Sequence, residues 1–138
     1  MKTAISFGLL LFLLGTAFVR LKPIDTERAH HPLSFTENSK LAGGVERLAD
    51  VNFEDLHNLI LSEPRTRVLI GDLKEGRITY VTRSRLWGFP DLTTVQADLG
   101  TETAPLRIYA RLVFGKSDLG VNSARVERWL SHLNTRDY

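Results

Sequence analysis

Three short connections constrain this chain more than any other feature: DLKEG at 72–76, WGFPD at 87–91 and GTETA at 100–104. They separate four strand-like runs at 66–71, 77–86, 92–99 and 105–114. Connections this short, rich in Gly, Pro and Asp, close hairpins, whereas parallel neighbours need crossovers of a dozen residues or more. The runs therefore predict an antiparallel meander. Ahead of it, Asn52 is a suitable N-cap, and Phe53, Leu56, Leu59 and Ile60 make an apolar stripe that Pro64 ends. Behind it, Val126, Trp129, Leu130 and Leu133 follow the i, i+3, i+4, i+7 spacing of a buried helical face over 122–134. The predicted fold class is α+β: a four-stranded antiparallel sheet flanked by two helices, preceded by an N-terminal hydrophobic segment.

That segment, MKTAISFGLLLFLLGTAFVRLKP, carries no charge from Thr3 to Val19, just long enough to cross a bilayer. As an anchor it spans the membrane through residues 4–19, with Arg20 and Lys22 reaching the interface. As a secretory signal, Gly15 and Ala17 supply the small residues of a cleavage site. The anchor reading gives a cell-membrane protein with its domain in the periplasm, and the signal reading a protein released there. The chain divides into residues 1–22 as anchor or signal, 23–52 as a tether and irregular lead-in broken by Pro23, Pro32 and Gly43-Gly44, and 53–138 as the α+β domain.

Charge and motif content exclude several function classes. The net charge of +2 arises at the N-terminus, because residues 23–138 hold 15 basic and 16 acidic side chains. A near-neutral domain lacks the footprint of a nucleic-acid binder. With no cysteine there is no thiolate metal site and no lipid-modified cysteine. His30 and His31 are adjacent in the tether and diverge, while His57 and His132 sit on separate helices, so neither a metal site nor a cofactor is expected. No G-x-S-x-G elbow, Walker loop or dinucleotide fingerprint is present.

Strand alternation puts Arg77, Arg83 and Arg85 opposite Ile78, Tyr80 and Leu86, and Arg107, Tyr109 and Arg111 opposite Leu106, Ile108 and Leu112. Arg65 and Arg67 join them. One reading is the solvated face of a one-sided sheet, balanced by Glu75, Asp98 and Glu102. The other rests on 13 arginines against 5 lysines, since planar guanidinium suits bidentate recognition of carboxylate or phosphate.

GKSDLGVNSARVERWL at 115–130 places Asp118, Gly120 and Asn122 just ahead of the last helix, with Asn122 expected as N-cap and Val121 and Val126 as a hydrophobic staple. Arg125 then falls in the first turn, against the helix dipole, at a cost of about 0.3–1 kcal/mol. Something must compensate: Asp118 or Asp91 pairing with Arg125, or an anion held between Arg125 and the helix N-terminus. Trp87 and Phe89 either close one end of the core or form an exposed pair for an interface.

TRSRLWGFPDLTTVQ, followed by RIYARLVFGKSDLGVNSARVERWLSHL, resembles the bacterial family called domain of unknown function 1499. The family's aromatic-Pro-Asp turn matches Phe89, Pro90 and Asp91, and its Gly-x-x-Asp-x-Gly-x-Asn-x-x-Arg motif matches Gly115, Asp118, Gly120, Asn122 and Arg125. FVRLKPIDTERAHHP is similar to the segment that follows the membrane anchor in many members. The strand before the Gly, often Ser-Arg-Ser in the family, reads Ala110-Arg111-Leu112 here, which removes both hydroxyls. The resemblance covers about residues 53–134 and implies a small membrane-associated bacterial domain, without an activity.

The functional expectation is a non-catalytic binding or envelope-associated module for an anionic small molecule or lipid headgroup, using candidates among Arg83, Arg85, Asp91, Arg107, Arg111, Asp118, Gly120, Asn122 and Arg125. Two alternatives stay open: a hydrolase-like enzyme using Asp91 and Asp118 with Arg111 and Arg125, and a purely structural interaction protein. An open arginine-lined concavity favours the first reading, a deep pocket into which both aspartates point the second, and a flat surface with every motif residue paired internally the third.

Overall fold

The computed structural model describes residues 2–101 and 103–134. The elements run α1 (Lys2–Leu21), α2 (Thr26–Ala29), β1 (Ser39–Leu41), β2 (Gly44–Ala49), α3 (Phe53–Ser62), β3 (Thr66–Asp72), β4 (Arg77–Arg83), β5 (Pro90–Gln96), β6 (Leu106–Leu112) and α4 (Val121–Asn134). Glu102, invoked above to balance the arginine face, lies outside the described residues.

The expected meander is present as β3 to β6, but the sheet has six antiparallel strands rather than four, in the order β1-β2-β6-β5-β4-β3. The two added strands come from the segment expected to be an irregular tether. β2 pairs over its whole length with β6, from Gly44 opposite Arg111 to Ala49 opposite Leu106. Gly44 is required by this pairing, because a Cβ there would lie 2.2 Å from the Ala110 carbonyl oxygen. The Gly-Gly pair thus marks close approach between strands, one of the two uses of glycine in a strand pattern.

One face of the sheet packs on α3 and α4. Val45, Ile78, Tyr80, Val95, Ile108 and Ala110 meet Leu56 and Ile60 of α3 and Val126, Trp129 and Leu133 of α4 in a single buried cluster. Burial of each large aliphatic side chain contributes roughly 1.5–3 kcal/mol. Asn52 caps α3 as its sequence predicts, accepting from the Asp55 N–H at 3.0 Å. Glu63 joins the two helices, accepting the Trp129 indole N–H at 2.9 Å and pairing with Arg128.

The opposite face is not the open solvated surface that alternation suggested. Residues 24–35 lie across it, held by sheet side chains that reach their backbone. The Ala29 carbonyl accepts from Thr94 Oγ1 at 3.2 Å and from the Arg111 guanidinium. Gln96 accepts from the Leu33 N–H at 2.8 Å and donates to the Leu33 carbonyl at 3.0 Å, and Arg107 Nε donates to the Phe35 carbonyl at 2.9 Å. His30, expected in a solvated tether, is buried between Thr79 Oγ1 and Glu75 Oε1, each 2.8 Å from a ring nitrogen. A segment without strand pairing must find other partners for its backbone polar groups, and this row of polar side chains supplies them. Ala29 packs with Val81 and Leu92 at the centre of the contact.

α1 leads into this segment. Residues Thr3–Leu21 form an almost wholly exposed helix of mean hydropathy 2.0, which by length and composition fits a membrane anchor or a signal sequence. Its C-terminal half touches the domain: Thr16 and Val19 are buried, and the Phe12 ring lies 4.8 Å from that of Trp87.

Candidate functional site at the foot of the N-terminal helix

The strand register sets Arg67, Val81, Leu92 and Arg111 in one row across the covered face. Because residues 24–29 run over the two apolar positions in the middle, an arginine is left on either side of them. The result is two open basic clefts flanking the chain where it leaves α1.

The cleft on the β6 side has a volume of about 370 Å³, with Lys22, Arg28 and Arg111 as its cations and Leu92, Leu112 and Phe114 among its apolar walls. Arg111 lies at its base. One guanidinium nitrogen donates to Thr94 Oγ1 at 2.9 Å and to the Tyr109 carbonyl at 3.1 Å, the other donates to the Ala29 carbonyl, and the guanidinium carbon sits 4.4 Å from the centre of the Tyr109 ring. Burial pushes the Arg111 guanidinium below its usual range, partly offset by Tyr109. Among the described residues no carboxylate forms an ion pair with it. Asp25, also in the cleft wall, is engaged by the Arg28 N–H at 3.1 Å.

The cleft on the β3 side, about 310 Å³, is lined by Arg20, Arg65, Arg67 and Arg83 with Thr66 and Val81. Arg83 donates to the Gly88 carbonyl at 2.8 Å, and Arg65 Nε to the Arg83 carbonyl at 2.9 Å. Burial lowers the Arg83 guanidinium, and the like charges of Arg67 and Arg20 lower it further. Arg85, expected in the same strand, instead lies exposed in the turn after β4.

The motif residues form a different structure. Helix α4 begins at Val121, and its cap is Asp118: Oδ1 accepts the Gly120 N–H at 2.9 Å and Oδ2 the Asn122 N–H at 3.0 Å. The expected N-cap, Asn122, is instead buried inside the first turn, and the expected staple does not form, because Val121 is half exposed. A carboxylate on helix N–H groups gains a charge-assisted bond and a favourable dipole interaction, so Asp118 displaces the neutral amide from the capping role. Gly120 takes a positive φ of 81° to bring the chain round.

Arg125 finds the partner its position demanded. Its guanidinium donates to Asp91 Oδ2 at 3.3 and 3.4 Å and to Asn122 Oδ1 at 3.0 Å. The pair ties the first turn of α4 to the first residues of β5. The two carboxyls are pushed apart: burial raises Asp91 against the opposing pull of Arg125, whereas Asp118 is lowered because its backbone and Asn122 hydrogen bonds outweigh burial. Among the described residues, none of the four main clefts is lined by both. Asp118 borders a shallow depression of about 300 Å³ lined by Lys40, Ser123 and Glu127, and Asp91 is absent from it.

Of the nine candidate residues, the structure thus brings Asp91, Asp118, Asn122 and Arg125 into one internally paired cluster with Gly120 at its turn, and places Arg111 and Arg83 in separate clefts. Arg107 holds Phe35, and Arg85 stands apart. Lys22, Arg28 and the buried His30 escaped notice as site residues. Their signal was present in KPIDTERAHHP, where cations, acids and apolar residues are mixed directly after an apolar helix, but which side of a sheet they cover is a tertiary fact. Among the described residues no group of three His, Asp or Glu side chains gathers as metal ligands.

Comparison with curated proteins and with solved structures returned no match. A family model described as Protein of unknown function (DUF1499) matches residues 16–133, a span that takes in the foot of α1, both clefts and the capping cluster; the chain belongs to that family.

Proposed function

We propose that this protein is a membrane-anchored, non-catalytic binding module that holds an anionic group in the β6-side cleft at the foot of its anchor, on the periplasmic side. The observation that carries the reading is Arg111, a largely buried cation without a carboxylate partner among the described residues, at the base of an open cleft also walled by Lys22 and Arg28. A buried charge met only by hydrogen-bond dipoles and one aromatic ring is costly, and an incoming phosphate or carboxylate relieves that cost. The apolar walls suit a ligand with a hydrocarbon portion. Retention of α1 as an anchor is supported by its packing on the domain, since Thr16 and Val19 are buried on both sides of the Ala17 cleavage position. The hydrolase-like alternative has no comparable support, because Asp91 and Asp118 are committed to Arg125 and to backbone N–H groups.

Titration of the full chain in detergent with inorganic phosphate and with a soluble short-chain phosphatidylglycerol tests this reading. Saturable binding of at least one probe is expected, weakened about tenfold or more in the double variant Lys22→Gln/Arg28→Gln with unchanged melting, consistent with the loss of two charge-assisted contacts. Binding of neither probe, or equal binding by the variant, contradicts it.

A further inference from the structure

The turn at 84–89 is apolar at its tip, yet it lies beside the membrane-directed helix rather than over the sheet. Trp87 stacks 6.3 Å from Phe89, Phe89 lies 5.9 Å from Phe114, and Trp87 meets Phe12 of α1 at 4.8 Å. Leu86 is nonetheless 63 % exposed, Trp87 41 % and Phe89 40 %. Gly88 adopts a positive φ of 73°, and a Cβ there would come within 2.8 Å of the Arg20 side chain, so the turn is seated directly on the end of α1.

Two features fit this turn to lipid. The first is that the base of the turn closes on itself: Ser84 N–H donates to the Phe89 carbonyl at 2.9 Å, Phe89 N–H to Ser84 Oγ at 3.0 Å, Gly88 N–H to the Ser84 carbonyl at 3.1 Å, and Arg83 covers the Gly88 carbonyl, so the tip projects on a fixed base. The second is the order of chemistry along α1. Phe12 precedes Arg20 by eight residues, about 12 Å along a helix axis. Where α1 crosses a bilayer, the aromatic tip therefore lies on the hydrocarbon side and the cleft of Arg20, Arg65, Arg67 and Arg83 at headgroup depth. No ion pair among the described residues neutralises these four cations.

We propose that the 84–89 turn is a second membrane contact: Leu86 and Trp87 enter the leaflet that α1 crosses, and Arg20, Arg65, Arg67 and Arg83 hold the phosphates of anionic phospholipids gathered beneath it. The inference rests on the anchor reading above but not on the Arg111 cleft. The domain is thus seated on its bilayer at two points, which fixes its orientation.

Tryptophan quenching by brominated lipid tests it, using the full chain with α1 verified by intact mass in vesicles of phosphatidylcholine and phosphatidylglycerol. The chain has two tryptophans, and Trp129 is buried in the domain core at 1 % exposure, so the difference between wild type and Trp87→Phe reports Trp87. Strong quenching that Trp87→Phe abolishes is expected, at least about twofold greater with brominated phosphatidylglycerol than with brominated phosphatidylcholine. Arg65→Gln/Arg67→Gln should abolish that lipid preference while leaving quenching by phosphatidylcholine in place. Lys22→Gln/Arg28→Gln should leave quenching by phosphatidylcholine in place, which separates insertion of the turn from the ligand cleft. Absence of Trp87 quenching in the intact chain overturns the proposal, as does equal quenching by the two lipids. Quenching that falls as the protein-to-lipid ratio rises also overturns it, because the tip then meets a second copy rather than lipid.

Discussion

At the scale of single residues, the motif that most suggested a site is a clamp. Arg125 was legible as a residue in need of a counter-ion, and Asp91 was one of two partners that sequence offered; the pair joins α4 to β5. The capping register was not legible, because Asp118 and Asn122 are both good cap residues, and the choice depends on which side chain Arg125 draws inward. Arg125 and Asp91 keep only 13 % and 21 % of their side-chain surface exposed. Arg125→Ala should therefore cost about 3 kcal/mol in thermal or denaturant melting, chiefly by leaving a poorly solvated carboxylate unpaired. The double variant Arg125→Leu/Asp91→Leu should be more stable than Arg125→Ala, since removing both charges removes that penalty. A double variant no more stable than the single one would show that the interaction is worth little.

At the scale of elements, α3, α4 and the four-strand meander could be read from periodicity and turn chemistry, while β1 and β2 could not. β1 has three residues, and β2 (GVERLA) carries buried or half-buried residues at every position, so neither shows a one-sided alternation. Their pairing is also non-local, with β2 bonded to β6 across nearly half the chain. Gly43 and Gly44 separate the two uses of the residue. A Cβ at Gly44 would overlap the Ala110 carbonyl, whereas at Gly43 it would meet the movable Leu112 side chain at 3.2 Å. Gly44→Ala should lose about 2 kcal/mol or more through forced separation of β2 from β6, and Gly43→Ala distinctly less. Equal melting of the two variants would mean that β2 does not hold this register.

At the scale of the whole molecule, the decisive arrangement is the path of the chain from α1 over the outer face of the sheet. Alternation placed Arg67, Arg107 and Arg111 on one face, but it could not show that the same chain returns to cover that face. The covering contacts run from side chains to irregular backbone and follow no period. That path divides one arginine surface into two clefts, and the β6-side cleft, walled by Lys22, Ile24, Arg28 and Ala29, stands or falls with it. Amide hydrogen exchange of the full chain in lipid nanodiscs measures it directly. Amides in the segment 28–33 that are protected to within a few-fold of those in β5 are expected, because Ala29, His30 and Leu33 are buried and pinned to Thr79, Thr94 and Gln96. Exchange there at the rate of an unstructured tether would remove a wall of the β6-side cleft and contradict the account.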